Sequence, residues 1–156
     1  MPRTAIDSLL AVLPLPFVSE IIYKFLENEK DETVLGELIV LTTERICRSN
    51  SGDIALKQAL AALLSSLNTI VKSERKSLTE IALQSIRQLS RAHGKAEYAS
   101  FETVLEAIIH HGIASKDGAI RSAAYECLLS MLYNVSPIWL TLVLSSGLEF
   151  CLSSLR

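Results

Sequence analysis

Asp117-Gly118-Ala119-Ile120-Arg121-Ser122-Ala123-Ala124-Tyr125-Glu126-Cys127-Leu128 carries the clearest structural signal in this chain. Its apolar and small residues fall at 120, 124 and 128, the spacing of one helix face. Leu78, Ala82 and Ile86 repeat that spacing upstream, and Val34, Leu38 and Thr42 repeat it again. The three segments open 44 and then 42 residues apart. A period of forty-odd residues belongs to stacked helical hairpins, each too poor in apolar surface to close a core alone. An ordinary bundle would need no period, so the shared size and spacing favour repeats.

Outward from these segments the chain reads as helix nearly throughout, with no sustained period-two alternation. Eight helices are expected, at about 4–13, 16–28, 32–48, 53–72, 77–93, 100–111, 119–133 and 137–155. Pro14 stops the first, and Pro16 fits the first turn of the second. Asp31 is placed to cap the third, and Asp53 opens the fourth. Ser77 with Glu80 has capping-box spacing at the start of the fifth. Gly94 follows it as a C-terminal stop. An Asp at 117 complements a helix dipole, and Arg121 is four residues on, within its reach. In the middle hairpin Arg75 stands where that Asp would be, so a ladder of such charges should break there. Ala82 and Ala124 should be buried where helices approach closely.

Pairing the helices gives three hairpins, with 4–13 and 137–155 left over. The last segment is apolar from Ile138 to Leu148, whereas a terminal cap should have a polar outer face. It is therefore expected to expose an interface at Trp139 and Leu142 that meets a following repeat or a second copy. The same run is too short to cross a bilayer. The expectation is one domain over 1–156, a segment of a longer solenoid.

The chain has 156 residues, 49% of them hydrophobic, and a formal net charge of −2. No global field would draw it to nucleic acid or an acidic membrane. No secretory signal is visible. Cys47, Cys127 and Cys151 are odd in number and far apart, as small buried hydrophobes in a reducing compartment would be.

Catalytic patterns do not emerge. The glycines are scattered singly, which excludes a phosphate loop. No serine sits in a Gly-x-Ser-x-Gly elbow, and no Cys/His set has zinc spacing. Glu102, Glu106 and His110, with His111 beside them, share a helix face. The spacing differs from the Glu-x-x-His of di-iron bundles and has no partner copy, so a solvated face explains it. No cofactor or metal is expected. The one local charge excess runs from Lys72 to Lys95, six bases against two acids, net +4. Lys72, Arg75, Lys76, Arg87 and Arg91 are read as a candidate phosphate- or acid-binding ridge on a single surface, against the default of a solvated face. Without interleaved aromatics, such a ridge would give weak, sequence-independent RNA contact.

The string Asp117-x-x-Ile120-Arg121-x-x-Ala124-x-x-x-Leu128 resembles the HEAT-repeat consensus, and Asp31-x-x-Val34-x-x-x-Leu38 is a weaker copy. Two longer stretches carry a narrower resemblance. One runs from Ala5 to Pro14, followed by Phe17-Val18-x-x-Ile21. The other runs from Leu83 to Lys95, followed by a helix and then 119–128. Both are similar to the giant HEAT-repeat subunit of the small-subunit processome, the small nucleolar RNA-associated protein ten family. The resemblance implies a right-handed α-solenoid, here three to four HEAT/armadillo-like hairpins in an all-α chain. It further implies a nucleolar, non-enzymatic scaffold in pre-ribosome assembly and ribosomal RNA processing. Protein partners in a large complex are then expected, with no membrane and no small-molecule substrate. A HEAT or armadillo adaptor in transport, kinase-complex assembly or chromatin is the alternative. A HEAT-fold DNA glycosylase is a remote one, because the aromatics are spread through all the hairpins.

Overall fold

The computed structural model describes residues 14–28, 30–49, 54–73 and 75–134. The segments expected at 4–13 and 137–155, and with them Trp139, Leu142, Cys151 and the Asp53 helix start, lie outside the described residues. Within them every regular element is helical: α1 Leu15–Asn28, α2 Glu32–Cys47, α3 Ile54–Lys72, α4 Lys76–His93, a 3-10 turn Tyr98–Phe101, α5 Glu102–Ala107 continuing as a π-helical stretch Ile108–Ile113, and α6 Gly118–Asn134.

Local chemistry explains most of the boundaries. Pro14 lends its carbonyl to the amides of Phe17 (3.0 Å) and Val18 (3.4 Å), which starts α1. The Asp31 carboxylate accepts from Thr33 N (2.9 Å) and Val34 N (3.4 Å) and so caps α2. Asp117 does the same for α6, at Ala119 N (2.9 Å) and Ile120 N (3.3 Å). Two expectations fail at α4. Its N-cap is Arg75, with no side-chain cap, and Ser77 lies inside the helix. At the other end Gly94 keeps right-handed helical angles, φ −57° and ψ −41°, and its amide bonds Ser90 O at 2.9 Å. The chain therefore leaves α4 by unwinding past Gly94 instead of reversing at a left-handed residue. The helix expected at 100–111 is also not uniform, because its second half widens into a π-helical turn.

The helices pack in two layers. The first helices of the hairpins, α1, α3 and α5, contact one another in order, and so do the second helices, α2, α4 and α6. Each hairpin also closes on itself, and α1 and α6 do not pack against each other. One core cluster runs between the layers. Its centre is α3, where Leu56, Leu60, Leu63, Leu64 and Leu67 are each fully buried. Burying a leucine contributes about 1.5–3 kcal/mol, so this helix anchors both neighbouring hairpins. By length and composition α3 would also suit a membrane span. The packing accounts for that composition, since those leucines face protein. It is longer and more continuous than the apolar run at 138–148.

All the repeat-equivalent positions but one are buried. Leu38, Ala82 and Ala124 are 8%, 0% and 0% exposed, and Thr42, Ile86 and Leu128 are 1%, 0% and 5%. Of the opening residues Leu78 and Ile120 are buried, but Val34 is 40% exposed. Small residues set the closest approach, as expected of Ala82 and Ala124. A Cβ added at Gly112 would lie 2.7 Å from the Ala124 Cβ, so π-helix and α6 touch backbone to side chain. Gly112→Ala should therefore destabilise the protein, by about 1–3 kcal/mol as overpacking usually does. Adding Ala124→Gly should recover part of that loss although glycine alone weakens a helix. Urea unfolding of the two single variants and the double variant reads this coupling, and purely additive losses would contradict it.

Candidate interaction surface

The second helices run parallel, because like ends pair with like ends. At the leading end Arg75 Nε lies 3.8 Å from Glu32 Oε1 of α2, and Lys76 Nζ lies 3.0 Å from Asp117 Oδ2 at the cap of α6. At the trailing end His93 Nε2 is 2.7 Å from the Ile46 carbonyl of α2. Toward α6, Ser90 and Ser130 share a hydroxyl contact of 3.0 Å, and Arg87 Nη1 donates to Glu126 Oε2 at 3.2 Å. The Ser90 hydroxyl also reaches Arg87 O (2.8 Å), and Ser130 Oγ lies 3.4 Å from the same carbonyl. His93, Ser90 and Ser130 are buried. Each is a polar group with a partner across the helix contact, which fixes the register of α4 against both flanks.

The five bases expected to form one surface are thus divided. Lys72, Arg75 and Lys76 gather at the α3–α4 turn. Arg87 lies eleven residues along α4 from Lys76, about 16 Å at 1.5 Å per residue, with Arg91 one turn further. Three of the five are engaged: Arg75 by Glu32, Lys76 by Asp117 and Arg87 by Glu126. Lys72 and Arg91 have no ion pair among the described residues. The charge ladder is also not broken at Arg75. It changes sign: two bases at the start of α4 sit between the carboxylates that start α2 and α6. Arg121 does not join its own Asp117. It reaches back to the Ser115 carbonyl at 2.8 Å and braces the turn.

Arg91 stands between two open grooves. One, about 540 Å³, is lined by Glu44, Cys47, Arg48, Gln88, Arg91 and Ala92 between the trailing ends of α2 and α4. The other, about 480 Å³, lies between α4 and α6 and includes Arg87, Glu126, Leu129, Ser130 and Tyr133. Tyr125, Leu129 and Tyr133, four residues apart on α6, are 46%, 65% and 89% exposed. Exposed aromatics beside arginine are the composition of protein-binding patches. The sequence reading missed this stripe because α6 is apolar on two opposite sides, so its buried and exposed faces look alike by periodicity.

Reactive chemistry is weak at these positions. Burial pushes the Cys47 thiol up to about 11 and the Cys127 thiol to about 12, so neither is a thiolate at neutral pH. Glu102, Glu106, His110 and His111 are all exposed. Among the described residues no three of His, Cys, Asp and Glu converge as metal ligands.

No family model, no curated protein and no solved structure matches this chain.

The Lys76–Asp117 pair gives a pH signature. The hydrogen bond from Lys76 holds the Asp117 carboxyl below the usual carboxylate range, helped by the Ile120 and Ala119 amides against partial desolvation. The same bond raises the Lys76 ammonium. A depressed carboxyl stabilises the fold above its unfolded value, about 3.9 for Asp, and loses that contribution as pH falls through the lower folded value. Asp117→Asn keeps a capping oxygen but not the charge. Its stability deficit relative to wild type should be constant near neutrality and shrink below about pH 3.9. Urea unfolding of both proteins across that range tests this, and a deficit that persists unchanged in acid would count against the ion pair.

Proposed function

We propose that this chain is a non-catalytic helical-repeat scaffold, a right-handed α-solenoid segment of HEAT or armadillo type. The observation that carries this is the ordered stacking of first helices on first helices and second helices on second helices, with every repeat-equivalent residue but Val34 buried. Such stacks present a continuous outer face, and here that face bears two grooves, Arg91 with no ion pair among the described residues, and the Tyr125–Leu129–Tyr133 stripe. Those features suit macromolecular partners better than a substrate. The resemblance of 5–21 and 83–128 to the giant processome subunit directs the proposal to nucleolar pre-ribosome assembly and ribosomal RNA processing.

Affinity capture on the 156-residue chain, followed by mass spectrometry, tests the reading. Recovery of small-subunit pre-ribosomal proteins, reduced by Tyr133→Asp with Leu129→Asp, is the expected result. Transport, kinase-complex or chromatin proteins captured by the same face would instead support the adaptor alternative.

RNA contact is the second part of the proposal, and the ion pairing sharpens its test. Fluorescence anisotropy with a short single-stranded RNA should show weak binding, insensitive to sequence, that falls with salt at about −0.7 per phosphate contact. Reversing the unpaired bases, Lys72→Glu with Arg91→Glu, should weaken it more than Arg87→Glu alone, whose charge Glu126 already offsets. No binding at low salt, or no effect of the double reversal, would leave these bases as a solvated face.

A further inference from the structure

Each second helix receives the next one on the same flank. One position after Leu38, Ala82 and Ala124 stand Ile39, Leu83 and Tyr125, and four further stand Thr43, Arg87 and Leu129. Three beyond these come Ile46, Ser90 and Leu132. On α2 this flank faces α4: the Ile46 carbonyl meets His93 at 2.7 Å, and a Cβ added at Gly36 would lie 2.9 Å from the Ile81 Cδ1. On α4 it faces α6: Ser90 meets Ser130 at 3.0 Å, and Arg87 meets Glu126 at 3.2 Å. Ile39, Thr43, Ile46, Leu83 and Ser90 are accordingly buried, and Arg87 is half-buried. On α6 the corresponding Tyr125 and Leu129 are exposed, with Tyr133 still more so beside them. Among the described residues no further second helix follows α6. The stripe thus occupies the position by which these helices stack, and there it stands open.

The stripe is also symmetric. Tyr125-x-x-x-Leu129-x-x-x-Tyr133 reads the same in both directions. Two copies of α6 laid antiparallel about a two-fold axis at Leu129 bring that residue onto its own equivalent. Each Tyr125 then lies beside Tyr133 of the second copy. A two-fold interface uses one patch twice, so the patch must be self-complementary. This one meets the condition, because Ser122, Tyr125, Leu129, Leu132 and Tyr133 carry no charge at neutral pH and set no like charges together. The head-to-tail alternative, with α2 of one copy continuing the stack on α6 of another, runs parallel. It would set Asp31 and Glu32 against Asp117, and like charges brought together at an interface are costly. Antiparallel pairing keeps the two acidic starts apart, since each Asp117 lies about 18 Å along the helix from Leu129.

We propose that α6 is a self-association face, which pairs antiparallel with α6 of a second copy of this chain about Leu129. The proposal rests on the reading of this face as an interaction surface and names its occupant. Tyrosine suits the role, since it offers a large, stiff aromatic area with a polar tip that can stay wet at the rim. Two tyrosines and a leucine a copy cover less than the roughly 800 Å² per partner of a stable complex. The pair is therefore weak and forms where copies are concentrated or held close.

Analytical ultracentrifugation of the whole chain from about 10 μM to 1 mM tests this. A reversible monomer–dimer equilibrium with its Kd inside that range is the expected result. Leu129→Asp should weaken it at least about tenfold without moving the unfolding midpoint, because that side chain is mostly exposed. Leu129→Cys should give a disulfide-linked dimer under mild oxidation, since a residue on the axis faces its own equivalent closely enough to bridge. Gln84→Cys, exposed on α4, should not. Both cysteine variants keep the native cysteines, so the difference between them reads position alone. A chain still monomeric at about 1 mM, a dimer that survives Leu129→Asp, or equal cross-linking at position 84 would overturn the proposal. The two readings fail separately. A monomer that still captures other proteins through Leu129 and Tyr133 removes only the second copy, and a dimer that captures none removes only the scaffold.

Discussion

Helix α4 packs against α2 on one flank and α6 on the other, and the register of the second-helix layer depends on how it satisfies both. Leu78, Ala82, Leu83, Ile86 and Leu89 are buried along its length. Apolar contact alone would let three parallel helices slide past one another, because leucine surfaces are not directional. Polar contacts on each flank remove that freedom. His93 reads the Ile46 carbonyl on one side, and Ser90 reads Ser130 on the other. A slip by one turn would bury these groups without partners, a penalty of about 1–3 kcal/mol for each. The hydrophobic core supplies the stability of the stack, and a few buried polar atoms supply its register.

That arrangement divides the surface by purpose. Charges near the helix contacts are used between hairpins, as Arg75, Lys76 and Arg87 are, and have little left for a ligand. Among the described residues, Arg91 with the α6 tyrosines at the trailing edge and Lys116 with the two histidines at the leading edge lie off these contacts. A count of bases along the chain cannot separate the two kinds. Only the position of the opposing carboxylate does so, and each of those carboxylates comes from a different hairpin, some forty residues away in sequence.

This is also why the chain was legible in some places and not in others. Helices, hairpin order and the burial of Ala82 and Ala124 follow from local periodicity and size, which a sequence displays directly. Asp31 and Asp117 act within their own helix ends, so their capping roles could be read too. The pairing of Lys76 with Asp117, the split of the basic ridge and the bracing of Ser115 by Arg121 depend on tertiary placement. Gly94 and the π-helical turn were misread for a related reason. A glycine permits a left-handed stop but does not compel one. The widened turn carries the tight Gly112–Ala124 contact with α6, which no window of local sequence contains.

The alternating charges at the leading ends of α2, α4 and α6 make the middle hairpin non-interchangeable with its neighbours. Glu32 and Asp117 suit their own helix starts, and Arg75 and Lys76 stand between them and pair with both. Excising the middle hairpin would bring two acidic helix starts face to face, a juxtaposition of like charges. Duplicating it would set two basic starts together, each already opposed to its own helix dipole. Stacks built of interchangeable units can grow or shrink by recombination with little penalty. This one carries a code of sign that keeps its basic hairpin between the two acidic ones.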